Sequence, residues 1–305
     1  MFVNRKRKTV EGYNYKFSPV TSGEGRKIAL CFMIYDKINH ESLWHSFYEK
    51  HKDKCNTYIH FKESTPLKYF EKAKLKNCIH TKWGDISLVK AQNLLLDKAI
   101  NDEAENEHFI FLSNSCIPLK GFDYIFNNLD PNYSYFNKAP DEQIFPRCNR
   151  TLKMLSRKYI KKANMMSILN RKHAQLILKN KNKMIKWFDY DRVVPDEHCY
   201  ITLLHYLGLY KELIMTQNTS YSGATTFSPW ENMIDYKVFP KSVKINSYTY
   251  KIICEEELKY LINSKCLFGR KFLPEAKVLK DNGSYITLEN YLKNIIKSNP
   301  SSMRK

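Results

Sequence analysis

Lys27-Ile28-Ala29-Leu30-Cys31-Phe32-Met33-Ile34-Tyr35 is the stretch that decides the fold. Its apolar run, unbroken from Ile28 to Tyr35 and closed by a polar turn at Asp36, has the length and pattern of a strand buried on both faces. An amphipathic stretch, Leu43 to Tyr48, follows as a helix. Thr57-Tyr58-Ile59-His60-Phe61 repeats the strand signal, and Cys78-Ile79-His80 reads as a shorter third strand. Ile86 to Ile100 carries Leu88, Ala91, Leu95 and Ala99 at helical spacing. His108-Phe109-Ile110-Phe111-Leu112 is a further buried strand. This alternation predicts an α/β fold with a mostly parallel central sheet and helices on both faces.

The second half is less regular. Met166 to Leu178, Glu197 to Leu207 after Pro195, Glu255 to Ile262 after a β-leaning stretch, and Leu288 to Ile296 each read as helical. Residues 1 to 25 are polar and basic, broken by Ser18-Pro19 and Ser22-Gly23, and read as a lead-in to a single domain spanning 26 to 305. With 43% hydrophobic and 14% aromatic residues, the 305-residue chain has the apolar surface for a sizeable core, which excludes a disordered or low-complexity class.

The formal net charge is +19, but the basic runs are scattered through Arg5 to Lys8, Arg157 to Lys162 and Lys179 to Lys186. No zinc finger or aromatic RNA-binding signature accompanies them, so they read as a solvated basic surface or as attraction to an anionic ligand. No specific nucleic-acid partner is expected. The eight cysteines are spread singly with no C-x-x-C pair, which suits buried free thiols in a reducing compartment. No histidine pair has zinc-binding spacing. No apolar stretch approaches the roughly 18 residues that span a bilayer.

In open α/β sheets, ligands bind beyond the carboxyl ends of the strands. The residues there are Tyr35 and Asp36, His60, Trp83-Gly84-Asp85, and Ser113-Asn114-Ser115. Polar turn residues are also ordinary at strand ends, so it is their number together that suggests a pocket. Pro195-Asp196-Glu197 opens a predicted helix. Two acids there suit the helix dipole, or one of them serves as a general base in the pocket, and the two roles are compatible. His198 reads as a helix-surface residue. Arg270-Lys271, set between Gly269 and Phe272, is either an ordinary surface pair or a grip for a phosphate-bearing ligand. Asp189-Tyr190-Asp191 is an acid-x-acid triplet of the kind that binds manganese, but it does not follow a buried strand.

Taken in order, these segments resemble the core-2/I-branching glycosyltransferase family, which includes the peptide O-xylosyltransferases and many plant relatives. The resemblance rests on Lys27 to Tyr35, His40 to Trp44, Tyr58-Ile59-His60, Trp83 to Val89, and Phe109 to Leu119 in the first half. In the second half it rests on Leu169 to Ala174, Pro195 to His198, Thr225 to Trp230 and Phe268 to Phe272. It implies a GT-A-like fold and inverting, metal-independent transfer of a sugar from a UDP-sugar, GlcNAc or xylose, to a hydroxyl of a glycan or glycoprotein. It also implies that Glu197 matches the catalytic base and that Arg270 and Lys271 match the cations on the donor diphosphate. The Ser113-Asn114-Ser115 turn offers no carboxylate where metal-dependent glycosyltransferases place one, which suits charge neutralisation by that pair.

On this reading Tyr35, Asp36 and His60 line the nucleoside end, and Trp83, Asp85 and Ser113 to Ser115 lie near the donor sugar. Asp196 and Trp230 fall on the acceptor side. No metal or other cofactor is expected. Where many relatives carry Gly-Ser-Gln-Trp, this sequence has Ala163-Asn164-Met165-Met166, which leaves the acceptor open. The alternative function is a non-catalytic nucleotide-sugar or carbohydrate binder that retains the fold. A cytoplasmic location is expected, with the Golgi lumen as the alternative if a membrane anchor has been removed.

Overall fold

The computed structural model describes residues 25–139, 141–190, 193–217, 225–228, 239, 241–246 and 249–298. The lead-in apart from Gly25, and also Asp191 and Trp230, lie outside the described residues. In chain order the first half runs β1 (Lys27–Ile34), α1 (Glu41–Tyr48), β2 (Cys55–Phe61), α2 (Ile86–Asp102), β3 (Asn106–Ser113), β4 (Ile117–Pro118), α3 (Phe122–Asn128), β5 (Ser134–Lys138) and α4 (Asn149–Met154). Next come β6 (Ile168–Asn170), α5 (Arg171–Lys179), α6 (Lys181–Phe188), α7 (Cys199–Tyr206), β7 (Leu213–Gln217) and β8 (Thr226–Phe227). The chain ends with β9 (Val243–Asn246), β10 (Thr249–Cys254), α8 (Glu255–Asn263), β11 (Phe268–Gly269), β12 (Phe272–Leu279), β13 (Tyr285–Thr287) and α9 (Leu288–Ser298).

The deciding stretch is the middle of the main sheet, whose order is β2-β1-β3-β6-β5-β7. β1 runs parallel to both neighbours, with Cys31 opposite Tyr58 on β2 and Phe111 on β3. β5 and β7 are also parallel, and β6 is the antiparallel insert between β3 and β5. The mostly parallel sheet expected from the sequence is therefore present. Because successive side chains leave opposite faces, β1 feeds two cores. Ala29 and Cys31 pack with Val89, Leu95, Ala174 and Leu203 on one side, while Ile28, Leu30, Phe32 and Ile34 pack with Trp44, Phe47, Phe122 and Ile125 on the other. Trp44 is central to the second core: its indole N–H donates to the Cys116 carbonyl at 3.0 Å, and its ring lies 5.0 Å from Phe32 and 6.0 Å from Phe268.

A four-stranded sheet, β13-β12-β10-β9, carries a third core containing Tyr250, Phe272, Leu258 and Leu292. It is tied to the first half by α9 against α1, where Lys293 Nζ donates to Ser42 Oγ at 2.9 Å. Between the sheets, β11 pairs antiparallel with β4 and parallel with β8. That short sheet delivers Arg270 and Lys271 to the carboxyl edge of the main sheet.

Three local expectations are corrected. Cys78 to His80 forms no strand. Beyond Leu75, whose N–H reaches the Ile59 carbonyl at 2.9 Å, the segment is held by side chains: Ile79 N–H donates to His60 Nε2 at 3.0 Å and Phe61 N–H to Cys78 Sγ at 3.4 Å. The helix read from Met166 begins only at Arg171. Ile168 to Asn170 are β6, and Asn170 caps the helix by accepting from His173 N–H at 2.8 Å. Pro195–Glu197 is a 3-10 turn that ends one residue before α7, so the two acids precede that helix instead of occupying its first turn. The other helices and strands read from the sequence occur with small shifts at their ends, and all eight cysteines are free thiols, seven of them buried.

Candidate functional site

The parallel strands β1, β2 and β3 end at the same edge of the sheet, and a cavity of about 440 Å³ opens there. Each wall comes from a separate part of the chain. Met33, Ile34 and Tyr35 end β1, His60 and Lys62 end β2, and Ser113 and Asn114 end β3. Thr81 and Trp83 lie on the approach to α2, and Leu88 on its first turn. Asn164 to Met166 precede β6, and Val194, Asp196 and Glu197 form the 3-10 turn, facing Ser228, Arg270 and Lys271.

The cation wall is fixed by backbone bonds. Arg270 N–H donates to the Phe227 carbonyl at 2.9 Å, and Phe272 N–H to the Ser115 carbonyl at 3.1 Å. Asn39 Nδ2 donates to the Phe272 carbonyl at 2.7 Å while Asn39 N–H donates to that of Asn114 at 2.9 Å, clamping the strand-end turn against β12. Gly269 packs closely, since a Cβ there would lie 3.3 Å from Leu119 Cδ1 and that side chain would have to give way. Burial, followed by the neighbouring Arg270 charge, pushes Lys271 down to about 8. Burial also lowers Arg270, opposed by the negative charge of Glu197 and Asp196.

The acid wall stands on the 3-10 turn, where Glu197 N–H donates to the Val194 carbonyl at 3.1 Å and His198 N–H to that of Pro195 at 3.0 Å. Val194 holds a left-handed backbone, φ 56°, a conformation that costs a β-branched residue on the order of 1–3 kcal/mol and is typical of functional turns. Ala163 N–H donates to the Glu197 carbonyl at 2.8 Å, and Lys162 Nζ engages Glu197 Oε2 at 3.1 Å. Desolvation first, then the adjacent Glu197 charge, raises Asp196 to about 7.

Most residues expected from the sequence meet here: Tyr35, His60, Trp83, Ser113, Asn114, Asp196, Glu197, Arg270 and Lys271 all line the cavity. Three do not. Asp36 is outside the lining. Asp85 caps α2 instead, accepting from Ser87 N–H at 2.8 Å. Ser115 is turned into the protein, where its hydroxyl lies 3.3 Å from that of Ser113. His60 belongs to the wall, but its Nε2 is occupied by Ile79 N–H, and burial lowers the ring to about 4, so it supplies scaffold. His198 is buried, not on a helix surface: it stacks on Phe188 at 5.5 Å and its Nδ1 lies 2.8 Å from the Lys161 carbonyl.

Sequence reasoning missed Lys62, Thr81, Val194, Ser228 and the pairing of Lys162 with Glu197. Lys62 directly follows β2, so the strand-end rule that selected His60 reaches it with one more residue. Its ammonium sits 5.1 Å above the Tyr35 ring. Leu88, read from the sequence as one of a helical series with Ala91, Leu95 and Ala99, lines the cavity.

A Ser-His-Glu relay elsewhere does not make a second site. Ser134 Oγ lies 2.7 Å from His173 Nδ1, and His173 Nε2 lies 3.0 Å from Glu212 Oε2. Ser134 and His173 are fully buried, and the serine oxygen also accepts from Asn170 N–H at 2.9 Å, so the relay pins β5 to the start of α5. Among the described residues no group of three or more His, Cys, Asp or Glu converges as metal ligands would, and no helix is long and apolar enough to cross a membrane.

Fold and site together define an open-sheet α/β protein whose polar cleft, at the strand carboxyl edge, sets two acids against two cations. The chain belongs to the core-2/I-branching enzyme family, whose model matches residues 28–261. It is 24% identical over 229 residues to the glycosyltransferase BC10 of Oryza sativa subsp. japonica, a match covering 64% of this chain and 57% of that protein. The chain thus spans little more than half the length of this curated relative. Solved structures overlap loosely. A glycosyltransferase involved in glycosylation of the major capsid of PBCV-1 has TM-score 0.40 and 12% identity, over 80% of this chain and 94% of that one. The galactosyltransferase LgtC has TM-score 0.41 and 9% identity, over 79% and 86%. Membership rests on the sequence match.

Proposed function

We propose that this protein is an inverting, metal-independent glycosyltransferase that moves a sugar, GlcNAc or xylose, from a UDP-sugar to a hydroxyl of a glycan or glycoprotein. The observation that carries the reading is that Glu197 and the Arg270-Lys271 pair, more than 70 residues apart in sequence, line one cavity. Glu197 takes the proton of the acceptor hydroxyl as its oxygen attacks the anomeric carbon from the face opposite the nucleotide. The bond from that carbon to the UDP oxygen breaks, and its electron pair leaves with the diphosphate. Arg270 and Lys271, both half-buried, meet the developing charge as fixed positive groups. Tyr35 and Lys62 offer an aromatic face and a cation to the nucleoside end, and Asn164 to Met166 bound the acceptor approach.

A panel of UDP-sugars tests the reading, with thermal shift reporting binding and proton NMR reporting transfer or hydrolysis. The expected result is stabilisation by UDP and by one or two UDP-sugars, with product of inverted anomeric configuration. UDP affinity without turnover on any donor and acceptor pair would instead assign the chain to the non-catalytic binders.

A further inference from the structure

From Gln143 to Phe188 the sequence has thirteen Lys and Arg and no Asp or Glu, a large share of the net charge of +19. Folding gathers much of this charge on one side of the main sheet, where α4, α6, α7 and the 3-10 turn Arg157–Tyr159 pack together. Thr151 Oγ1 on α4 donates to the Trp187 carbonyl on α6 at 2.8 Å, and the Tyr190 hydroxyl donates to the Arg147 carbonyl at 3.0 Å. Lys183 Nζ on α6 sits 4.1 Å above the Tyr206 ring on α7, and that ring meets Tyr159 at 5.4 Å. These ties join the exposed side chains of Arg150, Lys153, Arg157, Lys158, Lys183 and Lys186 into one cationic face. Two apolar side chains stand in it: Leu152 and Met154, 37% and 44% exposed, on either side of Lys153.

Such a face attracts a polyanion, and its details select which one. A nucleic acid or an acidic glycan is gripped by cations together with aromatic rings stacked on its bases or sugars. Here the protein's own cations lie over the rings: Arg150 is 5.6 Å from the Tyr190 centroid, Arg157 4.0 Å from that of Phe145 and Lys158 4.8 Å from that of Tyr159. Against either of those partners Leu152 and Met154 would also stay in water. An anionic lipid surface uses both features, since its headgroups meet the cations while the two apolar side chains and the Lys and Arg stems enter the boundary with the acyl chains. We propose that the face formed by α4, α6 and the Arg157–Tyr159 turn is a docking surface for an anionic lipid bilayer, which the protein binds peripherally.

The test is cosedimentation of the full chain, at physiological salt, with vesicles of phosphatidylcholine alone and of phosphatidylcholine mixed in equal parts with phosphatidylglycerol. Binding should be at least about tenfold tighter to the mixed vesicles. Lys153→Ala with Lys158→Ala should weaken it by about 10- to 30-fold, and Leu152→Ser with Met154→Ser by about 3- to 10-fold. Lys50→Ala with Lys52→Ala removes two exposed cations next to α1, which packs on the opposite face of the main sheet, and should change binding by no more than about twofold. All six positions are exposed, so the thermal melts of the three double variants should match that of the wild type. Binding indifferent to phosphatidylglycerol, an equal loss in the Lys50 and Lys52 variant, or wild-type binding by the Leu152 and Met154 variant would overturn the proposal. A single-stranded oligonucleotide that displaces the protein from the mixed vesicles, and binds the Leu152 and Met154 variant as tightly as the wild type, would overturn it in favour of nucleic acid.

Discussion

Lys162 Nζ lies 3.1 Å from Oε2 of Glu197, and both side chains are mostly shielded from solvent. The pair joins the segment before Ala163 to the 3-10 turn, and the bond from Ala163 N–H to the Glu197 carbonyl adds a second tie at the same place. One carboxylate oxygen is thereby held in a fixed direction, which is what a base needs if its other oxygen is to meet an incoming hydroxyl.

Replacement of Glu197 by Gln is expected to lower kcat by about 10²- to 10⁴-fold, the usual value of a positioned base, with UDP affinity almost unchanged. Lys162→Met should lower kcat by about 10- to 100-fold through misplacement of the carboxylate, with rescue by Lys162→Arg. Steady-state kinetics with UDP titrations check both, and normal turnover by Glu197→Gln would remove Glu197 from the mechanism.

Lys271 gives the alkaline limb. Burial and the Arg270 charge bring it down to about 8, so the ammonium proposed to meet the diphosphate is charged below that pH and lost above it. UDP affinity should fall by up to about tenfold per pH unit on the alkaline side. Lys271→Arg, which keeps its charge there, should flatten the profile, and Lys271→Ala should weaken UDP below about pH 8 and approach the wild type above it. A wild-type profile that stays flat well above pH 8 would contradict the assigned role.

Transfer in excess EDTA should match transfer in its absence if, as proposed, Arg270 and Lys271 neutralise the leaving diphosphate. Complete loss that manganese restores would shift attention to Asp189 and Asp191, the second of which lies outside the described residues.

Acid should unfold the protein early. His60, His108 and His198 are buried, and desolvation takes each from its usual 6.5 down to about 4. Between those values the unfolded chain holds more protons than the folded one, so stability present above pH 6.5 is lost as the pH falls toward 4. Thermal melts across that window should show a steady fall in Tm, shallower in a His198→Gln variant. An unchanged Tm down to pH 4.5 would show that these rings are protonated in the folded state at no cost.

Much of the first half was legible because its signals are local and redundant. The run from Ile28 to Tyr35 is apolar on both faces, and only a strand flanked by two layers buries both, as β1 does. The second half was less legible because competing local signals overlap. Asn170 caps a helix that apolar spacing alone would begin at Met166, and Ile168 to Asn170 are drawn into the main sheet by β3 and β5. Asp85 shows the same limit on the site: a carboxylate at a strand end and one at a helix cap look alike until the Ser87 bond is seen.

The order of apolar runs and the identities of Glu197, Arg270 and Lys271 belong to the sequence, since chain entropy and burial force the runs inward whatever the loops do. That the acid and the cations share one cavity, that Lys162 pairs with Glu197, and that Asp196 lines the same cavity were decided by tertiary structure. Hydrogen bonds and ion pairs act over a few ångströms, and only the folded chain brings Lys162 within that reach of Glu197 and sets Arg270 on the same cavity.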